Sequence, residues 1–247
     1  MTEQNKYQYN SWPLGKIPKE LQRPEPELIK QKGYHWNDPR DIIDIFENKI
    51  AKFANCKHAI LVDCCTNGIF LSLKYLQEIE ELKKTDIIEI PKRTYVSVPM
   101  QIMALGNEVL YKDVEWQGLY QIGNTRVWDS AVRWTKDMYI GNDQLQVISF
   151  QIKKRLPIGK GGVVLTNDSK AAEWLKFASY DGRDLTSKYD SEEHIKCLGY
   201  HFYMTPEDAA RGILLMDSIP EINEDSGNYT MYPDITQYRF FKKENNG

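Results

Sequence analysis

Apolar residues recur along this chain with two alternating periods. Ile42, Ile43, Phe46, Ile50 and Phe53 return at helical spacing behind Asp38-Pro39, which predicts a helix opening at that pair. "HAILVDC" reads as a short buried strand, and "CTNGIFLSLKYLQEIEELK" continues from it with helical periodicity. The alternation then repeats. "DIIEIP" predicts a strand and "YVSVPMQIMALG" a helix closed by Gly106. "EVLYKDV", "TRVWDSA", "LQVISF" and "GGVVLTND" predict further strands, and "SKAAEWLKFASYDG" a helix ending at Gly182. "MTPEDAARGILLMDSI" predicts a last helix, capped at Thr205-Pro206, after which the pattern is lost. Strands alternating with helices predict an α/β domain with a mainly parallel sheet between helices. We place this domain at residues 41–236. Residues 1–40, punctuated by Pro13, Pro18, Pro24, Pro26 and Pro39, are expected to form an irregular arm, and 237–247 a polar tail.

Composition narrows the functional classes. With 247 residues and 41% hydrophobic content the chain can bury a sizeable core. A net charge of -3 argues against nucleic acid as a partner. No apolar run is long enough to span a membrane, and "MTEQNKYQYNSW" does not read as a signal peptide, so a cytoplasmic protein is expected. Cys64 and Cys65 are adjacent, and neither they nor Cys56 and Cys197 show CxxC spacing. Neither a disulfide framework nor a zinc site is indicated, and no metal is expected.

In an open α/β sheet, ligands collect at the carboxyl ends of the strands. Asp63 to Thr66, Thr94 and Tyr95, Asp129, and Ser149 each follow a predicted strand. The amides of Cys65, Thr66 and Asn67, opening a helix, form an anion site that suits a phosphate. Tyr95 offers a flat ring for stacking. Asp129, behind Val127 and Trp128, is a carboxylate expected to be partly desolvated and in need of a cation. Downstream, "SFQIKKRLPIGKGGVV" supplies Lys153, Lys154 and Lys160. A solvated basic turn is one reading of that cluster. A phosphate loop is not, because the G-x-x-x-x-G-K-[ST] pattern is missing. Tyr95 as a core aromatic, and Cys64 and Cys65 as small packing residues, are the plain alternatives at those positions.

The segments "CCTNGI", "RTYVSVP", "WDSAV" and "SFQIKKRLPIGKGG", in this order, resemble those of the DegT/DnrJ/EryC1/StrS family of sugar aminotransferases. "YDGRD", "GYHFYMTPEDAARG" and "YPDI" extend the likeness from about residue 40 to 236. The resemblance implies an aspartate-aminotransferase-like large domain (PLP transferase type I) and pyridoxal 5'-phosphate as cofactor. It selects Lys154 as the Schiff-base lysine and Asp129 as the partner of the pyridine nitrogen. Tyr95 would stack on the ring, and Cys65, Thr66 and Ser149 would hold the phosphate. The implied reaction moves an amino group from an amino acid, glutamate being the expected donor, to a keto-sugar nucleotide, in a homodimer.

Three residues depart from the family pattern. Val132 stands where His or Gln is often found. Lys160 stands in "GKGG" where relatives often carry Glu, and His201 where they carry the Asn of "GYN". The chain also ends soon after "YPDI", so the small C-terminal domain is expected to be largely missing. The alternative function is therefore a non-catalytic truncated homologue, a PLP-binding or scaffold subunit that dimerises without transferring anything.

Overall fold

The computed structural model describes residues 18–188 and 190–242. Residues 1–17 of the expected arm and 243–247 of the expected tail lie outside them. Seven strands form: β1 (His58–Val62), β2 (Ile87–Pro91), β3 (Glu108–Lys112), β4 (Tyr120–Gln121), β5 (Val127–Asp129), β6 (Leu145–Ser149) and β7 (Gly162–Thr166). The helices are α1 (Glu25–Gln31), α2 (Asp41–Ala54), α3 (Cys65–Glu78), α4 (Ser97–Ala104), α5 (Ser169–Ser179) and α6 (Pro206–Met216). Every helix and strand read from periodicity is present. Two elements escape that reading, the two-residue β4 and the seven-residue α1.

The main sheet has the order β1-β7-β6-β5-β4, while β2 and β3 pair in parallel as a second, two-stranded sheet. The class is α/β, but the main sheet is mixed rather than mainly parallel. β5 and β6 pair in parallel, whereas β7 is antiparallel to both β1 and β6, and β4 to β5. One reversed strand in the middle accounts for two of the antiparallel pairs. β1, β5 and β6 still run the same way, so their carboxyl ends meet at one edge.

Side chains of a strand alternate between faces, and the core divides accordingly. Ile60 and Val62 of β1 join Val147 and Val164 in a cluster with α3 and α5, while Ala59 and Leu61 join Ile148, Val163 and Leu165 in a second with α2 and α6. Helix α3 lies close on the sheet: a Cβ on Gly68 would stand 2.8 Å from Val147 Cγ1.

The arm is not wholly irregular. Pro24 precedes α1 and Pro26 lies in its first turn, where a missing N–H costs nothing. Ile29 is fully buried, and Glu25 accepts from Arg23 and Arg211, fastening α1 beside α6. The region after α6 is also ordered. Residues 229–241 form three short 3₁₀ turns, and Ile235 and Phe241 are buried. Phe241 packs edge-on against Tyr111, 6.2 Å between ring centres, so the described part of the expected tail is anchored. Among the described residues no helix is long and apolar enough to cross a membrane.

Candidate active site

A cavity of about 510 Å³ opens at the edge where β1, β5 and β6 end. Its lining includes Cys65, Thr66, Tyr95, Asp129, Ser149 and Lys154, the six residues singled out from the sequence. They arrive on five different supports. Cys65 and Thr66 open α3, Tyr95 precedes α4, Asp129 ends β5, Ser149 ends β6, and Lys154 lies on the β6–β7 loop.

At the α3 end, Cys64 is extended and gives no side-chain cap to the helix. The first amides of a helix lack partners inside it and carry the positive end of its dipole. Gly162 of β7 lies directly beneath. A Cβ there would stand 2.6 Å from Cys65 N and 2.9 Å from Ile148 O, so only glycine lets the backbones approach this closely. The Thr66 hydroxyl is 2.8 Å from that of Ser97, a lining residue that sequence reasoning passed over although it stands in the quoted "RTYVSVP". Burial pushes the Cys64 thiol up to about 11 and that of Cys65 well above its ordinary value. Raised thiol pKa values favour the packing reading of both residues over a nucleophilic one.

Asp129 is buried and accepts from Ala131 N–H (2.9 Å) and from the Tyr120 hydroxyl (2.8 Å). Tyr120 is in turn hydrogen bonded to Thr94. Burial raises the Asp129 pKa, and those two bonds and the charge of Lys154 pull it back only in part. Asp129 has no ion-pair partner in contact among the described residues, so no cation in contact balances the charge of this buried carboxylate. Lys154 is half-buried, and no hydrogen bond or ion pair engages its amine among the described residues. Tyr95 is 57% exposed, which removes the core-aromatic reading and leaves its ring free at the cavity.

The departures acquire partners. Lys160 Nζ sits 3.1 Å from Asp63 Oδ2, while Asp63 Oδ1 accepts from Asn67 Nδ2 at 2.8 Å. That bond to Asp63 is the main reason the Lys160 pKa is raised. Val132 is buried and lines the cavity. Arg133 does not replace the missing polar group, because a two-pronged pair with Asp225 (2.9 and 2.7 Å) engages it. His201 lies outside the cavity lining and contacts Asp181 at 3.1 Å.

Tyr232, from the quoted "YPDI", lines the cavity too, and sequence reasoning gave it no role. Burial, with Asp129 nearby, pushes its phenol up to about 12. No local pattern marks it. It arrives because Ser226 bonds to the Val132 carbonyl (2.9 Å) and Asp225 to Arg133, folding the segment back over the sheet edge.

The donor set fits pyridoxal phosphate: an uncapped helix start above a glycine cradle and, among the described residues, a buried carboxylate lacking a cation and a lysine amine without a partner. Among the described residues no group of three or more His, Cys, Asp or Glu could hold a metal ion.

Comparison with known proteins bears on the same residues. A sequence profile of the DegT/DnrJ/EryC1/StrS aminotransferase family matches residues 30–127 and 133–232. The fold is similar to that of AtS13 from Actinomadura melliaura (TM-score 0.64, 18% identity, covering 78% of this chain and 64% of that one). It is also similar to the sugar aminotransferase CalS13 from Micromonospora echinospora (TM-score 0.60, 15% identity, 78% and 64%). NtdA from Bacillus subtilis, with bound cofactor PMP, matches with TM-score 0.59 and 18% identity over 78% of this chain and 51% of that one. At these identities the likeness is one of fold, and the chain spans less than two thirds of each of these structures. No curated protein gives a significant match.

Proposed function

The chain belongs to the DegT/DnrJ/EryC1/StrS aminotransferase family, and from that premise we propose that it is a pyridoxal-phosphate-dependent aminotransferase. Its reaction would carry an amino group from an amino acid, glutamate the expected donor, to a keto-sugar nucleotide, in a cytoplasmic homodimer. The observation that supports this most is the convergence of Lys154, Asp129, Ser149, Thr66, Cys65 and Tyr95 on one cavity.

When bound, the cofactor supplies an electron sink for the carbon that loses or gains the amino group. Lys154 would hold it covalently through its amine. The Cys65 and Thr66 amides with the Thr66 and Ser149 hydroxyls would grip its phosphate. Asp129 would keep a proton on the ring nitrogen, an opposite charge that also draws the carboxylate back toward ionisation. The Tyr95 ring would cover one face. The Lys154 amine would also take and return a proton during the transfer.

Purified protein is expected to take up pyridoxal phosphate with a new near-ultraviolet to visible band, and borohydride to fix the cofactor on Lys154, as read by peptide mapping. Glutamate is then expected to bleach that band in a single turnover. Protein that stays colourless with added cofactor, and behaves identically as Lys154→Ala, refutes the proposal. The buried, apolar Val132 at the cavity favours a second reading, cofactor binding without transfer. In that case the band forms but glutamate leaves it unchanged.

A further inference from the structure

The β6–β7 loop borders the cavity and carries more positive charge than the cofactor would use. Two backbone bonds close the loop, Ile152 N–H to Gly159 O (3.2 Å) and Gly159 N–H to Phe150 O (3.1 Å). Gln151 and Gly159 therefore form a parallel bridge inside the loop, and Gln151, Lys153 and Lys160 all line the cavity. The side-chain oxygen of Gln151 accepts from Lys153 N–H at 2.8 Å, which leaves the two donors of its amide nitrogen unengaged among the described residues. Lys153 Nζ meets no carboxylate there either. Lys160 is steered by Asp63, whose second oxygen is already taken by Asn67. Both oxygens of Asp63 are thus engaged, and Asp208 is a second carboxylate close enough to act on Lys160. Asp129, the only acidic residue of the cavity lining among the described residues, lies buried at the end of β5.

We infer that this loop is an anion subsite in which Gln151, Lys153 and Lys160 bind the phosphate-bearing part of the substrate. The inference rests on the proposed function, in which the cofactor engages Lys154 and Asp129 and leaves these three residues to the substrate. Two ammonium groups and an amide lining one cavity suit an anion whose charge is spread over several oxygens, as in a diphosphate linkage. A single carboxylate of an amino donor would need only one of them. Because Lys153 and Lys160 are exposed, each acts as a solvated point charge, and salt weakens the contact.

The test is a calorimetric titration of protein saturated with pyridoxal phosphate, using inorganic pyrophosphate, uridine diphosphate and glutamate. Wild-type protein is expected to bind both phosphate ligands, and Lys153→Gln and Lys160→Gln each to weaken them roughly threefold to tenfold. The double variant compounds the loss, added salt shrinks the difference, and cofactor uptake read by absorbance stays at the wild-type level. Unchanged pyrophosphate affinity in the double variant overturns the inference. So does a pattern in which the variants weaken glutamate and spare the phosphate ligands. Should wild-type protein take up no cofactor, the proposed function falls instead, and the same pyrophosphate titration on the protein as purified still decides the loop's role.

Discussion

Asp129→Asn separates a residue kept for a ligand from one kept for the fold. Asp129 accepts at one oxygen from Ala131 N–H and at the other from Tyr120. Asparagine keeps the first bond through its carbonyl. Its NH2 then faces Tyr120, which can accept while donating to Thr94, since either hydroxyl of that pair can be the donor. No hydrogen bond is lost, but a buried charge is. The desolvation penalty of such an ion is several kcal/mol, and charge-assisted bonds exceed neutral ones by about 1 kcal/mol each. With the attraction of half-exposed Lys154 also removed, about 1 kcal/mol remains in favour of asparagine. Cofactor-free Asp129→Asn is therefore expected to be as stable as wild type at pH 8, or about 1 kcal/mol more so, by urea denaturation. The pH dependence has a definite sign. Burial raises the folded-state pKa of Asp129, so between the ordinary aspartate value and the raised one the folded protein holds the extra proton. Wild-type stability then falls as pH rises through that window, and the advantage of the variant vanishes below it. Cofactor affinity moves the other way, weakening roughly tenfold to a hundredfold with the loss of a charged contact worth about 1.5–3 kcal/mol. A variant clearly less stable at pH 8 that binds cofactor normally would falsify this account and make Asp129 a structural residue.

Other substitutions probe the supports of the site. Gly162→Ala is expected to cost about 1–3 kcal/mol by thermal denaturation, and to weaken cofactor uptake, because its Cβ meets backbone on both sides; wild-type values for both would refute the cradle. Lys176→Ala strands Glu47, a buried carboxylate that also accepts from Leu61 N–H. A loss of about 3 kcal/mol is expected at pH 8. The loss shrinks at acid pH, because burial already raises the Glu47 pKa and protonation relieves the charge; a pH-independent loss contradicts this. Arg133→Ala removes the two-pronged bond to Asp225 and is expected to expose residues 220–232 to limited proteolysis before the sheet unfolds. Protection equal to wild type there would mean that the Ser226–Val132 bonds alone hold the segment.

What the sequence determined by itself were the features written in local periods and short spacings. "HAILVDC" and "LQVISF" were legible as short apolar strands, and the amides that open a helix at Cys65-Thr66 pointed to an anion site before any geometry was known. The order of quoted motifs carried Lys154 and Asp129 to their candidate roles. Other features depended on contacts between distant residues, which no local pattern encodes. β7 runs antiparallel because the loop between Ser149 and Gly162 turns it back beside β6, and periodicity is blind to direction. Helix α1 looked irregular because its prolines are breakers in a helix interior, yet at the first turn they cost nothing once Ile29 has a surface to bury against. Lys160 stood unexplained beside its glycines until Asp63, 97 positions away, came within 3.1 Å. Tyr232 reached the cavity only through the hold of Val132 and Arg133 on residues 225 and 226. Short-range order follows from steric and hydrophobic preferences that each segment carries alone, whereas a site assembled from five separate supports exists only after the chain has closed on itself.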